Sequence, residues 1–427
     1  MVRTNFSFGL NAIQKRTILL SGLGGFLEFY DFVVYALMAN YLAKLFFPTH
    51  EQMISLLATF ATFSIGYLIR PLGGIIFGHF GDKIGRKKVF MLSVLLMAGS
   101  TFLIGLLPSY QNAGIIAPIL LIFLRMMQGF SVGGEIPGAI TYISETAPRL
   151  KGLACGIIFF FIINGITLGS IVAGLLSSQL GNQGILNGGW RLPFLFGGAL
   201  GVLSYFLRKN FHESPIFQAI HTKTVAFPLL QAIRYERKNM VFGALITGVS
   251  AVIVALLFLF TPTYLTQLLH YPSNETMWIN AIALFIGSFI SIVVGGLADR
   301  FNHKNLLMGL CILVLLLAYP IFWMFTSHAI FLLIPVLLCG LLIGYSLGLI
   351  PGILPTLFPT NIRYSAVASA YNLGYALFAG LTPLIATEMM IHTAQIQAPA
   401  YYLIAIGLIG LVTILIVPFQ NENIMST

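Results

Sequence analysis

The stretch GHFGDKIGRKK, Gly78 to Lys88, lies between two long apolar segments and recurs once, weakened, far downstream. At Gly295 to Lys304 the chain reads GGLADRFNHK, with Asp299 where Asp82 stood and Lys304 where Lys87 stood. The recurrence marks an internal duplication, so the fold is expected to consist of two related halves. A glycine, an aspartate and a basic cluster make a tight turn that can cap a helix with a carboxylate and leave cations at a membrane face.

Working outward from this loop, the rest of the chain is a series of apolar runs. Of 427 residues, 58% are hydrophobic and only 8% are charged, and the mean hydropathy is +0.94. Such a chain cannot hide its apolar surface from water and excludes a soluble protein. About 20 apolar residues make a helix long enough to cross a bilayer. Twelve such segments lie near 17–40, 53–77, 89–108, 114–136, 152–178, 190–208, 240–267, 277–297, 305–325, 329–350, 365–390 and 399–418. The expected class is an all-α membrane protein with twelve transmembrane helices in two pseudo-symmetric six-helix bundles. Its expected divisions are 1–208, a cytoplasmic linker at 209–239, and 240–427.

The net charge of +10 does not mark a nucleic-acid binder, because the basic residues sit in short loops between spans. With the N-terminus and the even-numbered loops in the cytoplasm, every Lys and Arg is on the inner side except Lys44, Arg70, Arg125 and Arg191. That asymmetry orients the chain with both termini cytoplasmic. Trp190, Trp278 and Trp323 fall at predicted outer ends, where an interfacial belt is expected. Cys155, Cys311 and Cys339 lie in apolar runs, so buried packing is expected rather than disulfide or metal chemistry.

Charges inside spans are costly and mark function. In the first span Glu28, Asp31 and Tyr35 share a helical stripe, and Glu28 lies about 16 Å deep at 1.5 Å per residue. Arg125 in the fourth span reaches the same depth from the opposite side, and a permanent cation there needs an anion. The matched depth predicts that Arg125 pairs with Glu28 or Asp31. Arg70, followed by Pro71, marks the inner interface, where a long side chain can snorkel. Glu135, near the inner end of the fourth span, is expected to join Arg70 or the basic loop. Asn164 has two readings, interhelical glue or substrate contact. The charge-poor second half offers Tyr371 and Asn372 at mid-depth.

The motifs FLEFYDFVVY, RPLGGIIFGHFGDKIGRKK, LRMMQGFSVGGE, SETAPRLKG, WRLPFLFGG, FHESP and LFPTNIRYSAVASAYNLGYALFAGLTPLI span nearly the whole chain. On them it resembles a major facilitator superfamily transporter, specifically the metabolite:proton symporter family that includes proline/betaine, citrate, dicarboxylate and shikimate carriers. The resemblance implies two bundles that rock about a midplane cavity, with proton movement driving uptake of a small molecule in the bilayer of a bacterial inner membrane. It also implies a monomer, with the proton as coupling ion and no cofactor or metal.

On this reading Glu28, Asp31 and Arg125 couple the proton, and a protonated acid releases Arg125 to a substrate carboxylate. Arg125, Tyr35, Gln128, Asn164, Tyr371 and Asn372 are the expected substrate contacts. Gly78, Asp82, Arg86, Lys87, Glu135, Glu145, Arg149, Asp299 and Arg300 are the expected inner gate. Two rival readings stay open: sodium coupling, and a non-transporting sensor with the same fold. Gly25 stands where many relatives carry a polar residue. The chain ends shortly after its last span, short of the coiled-coil tail of osmosensing betaine carriers, so osmotic gating is not expected. The fifth span also lacks the Gly-Pro pair of drug:proton antiporters, which disfavours export.

Overall fold

The computed structural model describes residues 12–84, 86–209, 228–327, 332–359 and 362–416; the side chains at 12–13, 16–17, 52, 78–84, 86–90, 207–209 and 228–229 lie outside the described residues. Among these, twelve apolar helices match the predicted spans one for one. In the first half they are α1 (Ile18–Leu37), α2 (Met53–Phe77), α3 (Met91–Leu106), α4 (Ile116–Thr146), α5 (Lys151–Gly189) and α6 (Arg191–Phe206). In the second they are α7 (Arg237–Leu268), α8 (Ser273–Ala298), α9 (His303–Ser327), α10 (Leu333–Leu357), α11 (Arg363–Thr393) and α12 (Ala398–Ile416). All-helical structure is what lipid demands, since each backbone N–H and C=O must find its partner within the chain.

In the first half α1 packs on α5 and α6, α3 on α6, and α2 and α3 on α4. In the second, α8 packs on α10, α9 on α12, and α7 on α11. The halves meet along α5 and α8, where small residues let the backbones touch. A Cβ on Gly152 would stand 2.4 Å from the carbonyl oxygen of Gly295, and one on Gly156 2.4 Å from that of Ser291. The outward faces carry exposed Leu, Ile and Phe, as lipid-facing surfaces must.

Several stretches depart from α-helical winding. Ile185–Gly189 in α5, Ala255–Phe260 and Tyr264–Leu268 in α7, and Tyr375–Ala379 in α11 are π-helical, and Leu354–Leu357 in α10 is a 3-10 turn. Helix α4 is interrupted at Gly133 and Gly134, between Ile116–Val132 and Glu135–Thr146. Such breaks cluster at functional positions because they re-aim side chains without ending the helix.

The belt of indoles is only partly formed. Trp278 and Trp323 are exposed, but Trp190 is 2% exposed and packs edge-on against Phe46, with Phe194 beside it. Its place at the start of α6, under the turn that ends α5, buries it in protein rather than at the lipid interface. Cys155, Cys311 and Cys339 are buried free thiols.

Candidate functional site

Where the bundles face each other, a small cavity of about 20 Å³, room for about one water molecule, is lined by α1, α2 and α5 on one side and α7, α10 and α11 on the other. Its walls are aromatic and aliphatic, with the tyrosines Tyr67, Tyr371 and Tyr375, and among the described residues that line it Arg70 is the only charged one. The guanidinium of Arg70 lies 4.3 Å from the ring centre of Tyr67, 4.5 Å from that of Phe32 and 5.7 Å from that of Tyr375. Tyr371 and Tyr375 stack at 4.5 Å, beside the π-turn that begins at Tyr375.

Arg125 lies one layer behind this wall, fully buried. Its guanidinium sits 4.3 Å from the ring centre of Tyr35, 4.9 Å from that of Phe32 and 5.3 Å from that of Phe63. Its Nη1 donates to Gln128 Oε1 at 2.8 Å, and Gln128 Nε2 donates to Thr101 Oγ1 at 2.8 Å. Two cations thus share the Phe32 ring, each held by aromatic faces.

The expected ion pair of Arg125 with Glu28 or Asp31 is not formed. The Nε and Nη2 of Arg125 have no hydrogen-bond partner, and neither carboxylate oxygen of Asp31 has one. Both residues are fully buried. Asp31 and Tyr35 are only about 40° apart around α1, but the rings of Phe32 and Tyr35 fill the space over Arg125 while the Asp31 carboxylate lies against α6. A Cβ on Gly197 would stand 2.4 Å from Asp31 Oδ1, and one on Gly201 3.2 Å from Oδ2. Tyr30 Oη donates to the Pro193 carbonyl of α6 at 3.0 Å. Glu28 is buried as well.

Of the expected substrate contacts, only Tyr371 lines the cavity. Tyr35 and Gln128 surround Arg125, and Tyr35 Oη donates to the Thr59 carbonyl at 3.1 Å. Asn164 bridges the bundles, with Nδ2 donating to Ser288 Oγ at 3.0 Å and to the Phe160 carbonyl at 2.8 Å. Asn372 reaches across to the Gly133 carbonyl, at the break in α4. Arg70 does not snorkel to the interface, because Phe32, Tyr67 and Tyr375 enclose it. Sequence reasoning missed Phe32, Phe63, Tyr67 and Tyr375. A readable signal was Phe63, Tyr67 and Arg70 at i, i+4 and i+7 on one face of α2.

Bonds join the two halves at both ends of the molecule. At the end of the repeated loops, termed the inner end, Asp299 accepts from the backbone N–H of Gly152 at 2.7 Å and of Leu153 at 2.8 Å. It thus caps α5 from the opposite bundle, where the positive end of a helix favours a carboxylate. Burial pushes the Asp299 pKa above the ordinary carboxylate value; the two N–H donors, Lys151 and His303 pull against that.

Glu145 pairs with Arg363 at 3.7 Å, while Arg149 is exposed. Arg300 is also exposed, whereas Glu135 is buried at the start of the second piece of α4. The backbone at Gly78, Asp82, Arg86 and Lys87 is helical, and their side chains lie outside the described residues. At the outer end Asn40 Nδ2 donates to Thr266 Oγ1 at 3.0 Å, Ser64 donates to the Gly380 carbonyl, and Phe60 packs on Phe260. The cavity therefore lies between two closed ends.

The cap makes a prediction. Asp299→Ala removes two charge-assisted bonds that hold the inner end shut, at roughly 1.5 kcal/mol or more for each bond to a charged group. Cys155, buried one turn into α5, is expected to react about ten times faster with N-ethylmaleimide in the variant. An unchanged rate at Cys155 would show that the cap does not hold the inner end.

Two six-helix halves about a central cavity, bonded to each other at both ends, are an architecture shared by many membrane transporters. The chain belongs to the Major Facilitator Superfamily, whose family model matches residues 21–383.

The glycine betaine/proline/ectoine/pipecolic acid transporter OusA of Dickeya dadantii is 38% identical over 415 residues, which cover 93% of this chain and 82% of that protein. The proline/betaine transporter of Escherichia coli K12 is 37% identical over the same length, with the same coverage. Among solved structures, the partially occluded inward-open xylose transporter XylE from E. coli superposes with a TM-score of 0.74 at 18% identity, covering 95% of this chain and 97% of that one. That likeness concerns the fold. The chain is a multi-pass membrane transporter of small molecules, not an enzyme.

Proposed function

We propose that this protein is a proton-coupled symporter that takes up a small carboxylate-bearing metabolite, an organic acid or a zwitterion such as proline or a betaine, by alternating access. The observation that carries the reading is a pair of buried guanidiniums at the bundle seam with unpartnered N–H groups and no carboxylate bound to them. A buried cation without an anion is costly, and a substrate carboxylate supplies what is missing. The relatives support the class, since glycine betaine, proline, ectoine and pipecolic acid all carry a carboxylate.

Coupling falls to Glu28 and Asp31 with Arg125 as their nearby cation. An ionised Asp31 in its present position would have no protein donor, whereas the neutral acid has no charge to stabilise. The closed molecule is read as the proton-loaded state, with the first-span acid satisfied by its proton and the cations left to the substrate. In the repeated sequence Asp82 corresponds to Asp299, and Gly78, Asp82, Arg86 and Lys87, with Glu135, Glu145, Arg149, Asp299 and Arg300, are assigned to the inner gate. The chain is assigned as a monomer to a bacterial inner membrane, with residues 1–208 and 240–427 as its two bundles and 209–239 as a cytoplasmic linker.

Purified protein in proteoliposomes tests the reading against a panel of labelled organic acids, amino acids and betaines. An inward proton gradient is expected to drive accumulation, and an inward sodium gradient alone is not. Accumulation on sodium alone would replace the coupling ion, and a ligand that binds without counterflow would identify a sensor.

A further inference from the structure

We infer that Arg70, rather than Arg125, receives the substrate carboxylate, and that the site takes a monocarboxylate whose remaining surface is apolar or carries an alkylated nitrogen. This rests on the carrier reading above and specifies its site.

Access comes first. Arg70 stands on the cavity wall and Arg125 does not. The ring of Phe32 lies within cation–π distance of both guanidiniums, and Arg125 is further enclosed by Tyr35 and Phe63. A carboxylate entering the seam here therefore meets Arg70 before Arg125. The unpartnered donors of Arg70 are Nε and Nη1, which lie on different edges of the guanidinium, so each is free to donate to a separate acceptor. Arg125, by contrast, has spent Nη1 on the Gln128–Thr101 chain, which ties it to α3 and keeps it in the first bundle.

Position comes second. Arg70 belongs to the first bundle, and Tyr375, 5.7 Å from its guanidinium, to the second. Tyr67 and Tyr375 stack across the seam with centroids 6.4 Å apart. A carboxylate on Arg70 sits where the halves meet, so binding it favours the arrangement in which both bundles close on it.

The rest of the wall sets the class. It carries no acid that could pair with a free ammonium, and no second cation for a second carboxylate. Beyond Arg70 the wall is ring surface, from Phe29, Phe32, Phe159, Tyr371 and Tyr375, together with aliphatic side chains of α1, α5, α7 and α10. Aromatic faces hold apolar groups and alkylated ammonium groups, whose charge needs no hydrogen-bond acceptor.

The experiment is equilibrium binding of labelled glycine betaine to full-length purified protein, with proton-driven accumulation measured in parallel. Arg70→Gln is expected to weaken binding about 100-fold, the usual scale for losing a buried charge partner. Arg70→Lys keeps the charge in the same space without the fork; it is expected to fold and to bind about tenfold more weakly. Arg125→Gln is expected to bind within about threefold of wild type and to lose accumulation. Succinate, a dicarboxylate, is expected not to compete.

The inference is overturned if Arg70→Lys binds as tightly as wild type, if Arg125→Gln loses binding as Arg70→Gln does, or if succinate competes on equal terms. Wild-type protein that binds no carboxylate at all would instead overturn the carrier reading itself.

Discussion

Asp31→Asn is expected to abolish proton-driven accumulation, by about 100-fold or more, while counterflow down a substrate gradient continues within a few-fold of wild type. Asp31 is fully buried, its two oxygens lack partners, and it lies against the backbone of α6 at Gly197 and Gly201. Asparagine has the same shape and no titrating proton, so it holds the loaded form permanently and lets the cavity keep working as an exchanger. An ionised carboxylate at this position costs several kcal/mol, which is the lever that ties proton release to reopening. Asp31→Leu is expected to be at least as stable to heat in detergent as wild type, because a buried polar group without partners contributes nothing to the folded state. Accumulation by Asp31→Asn at the wild-type level would remove Asp31 from the coupling and leave Glu28 as its acid.

Gly129→Ala is expected to be the most damaging single methyl in the molecule. An added Cβ would stand 1.7 Å from the Gly66 carbonyl oxygen and 2.6 Å from its carbon, so the obstacle is backbone. Along the same contact a Cβ on Gly73 would meet the Phe130 carbonyl oxygen at 1.9 Å, and one on Gly133 that of Arg70 at 2.1 Å. Helices α2 and α4 are thus in backbone contact beside both guanidiniums, and Gly66 itself lies close to Arg125 Nη2. Overpacking costs about 1–3 kcal/mol where side chains can give way, and more where two helices must part. The expected result is a melting temperature in detergent lower by several degrees, with substrate binding lost because Arg70 is displaced. Gly99→Ala in α3, where a Cβ meets nothing within 4 Å, is the control and is expected to leave both unchanged. Equal behaviour of the two variants would mean that the α2–α4 contact opens freely.

The repeated loop, the spacing of apolar runs and the distribution of basic residues were enough to read twelve spans, because lipid enforces the length and polarity of a crossing helix segment by segment. The same local rules placed Glu28, Asp31 and Arg125 inside the membrane. They also hinted at bundle-crossing polar contacts, of which Asn164 with Ser288 is one. Counting residues gives depth, and depth was what those rules could supply.

Which side chains share a level is therefore in the sequence of this protein, and which of them face each other is not. Gly197 and Gly201 of α6 leave room for the Asp31 carboxylate, while the rings of Phe32, Tyr35 and Phe63 occupy the space around Arg125. The packing of α2 against α4 and α11 likewise drew Arg70 from an assumed interfacial role onto the wall of the central cavity. Azimuth is fixed by contacts between helices far apart in the chain, so only the assembled bundles could decide which cation a substrate meets.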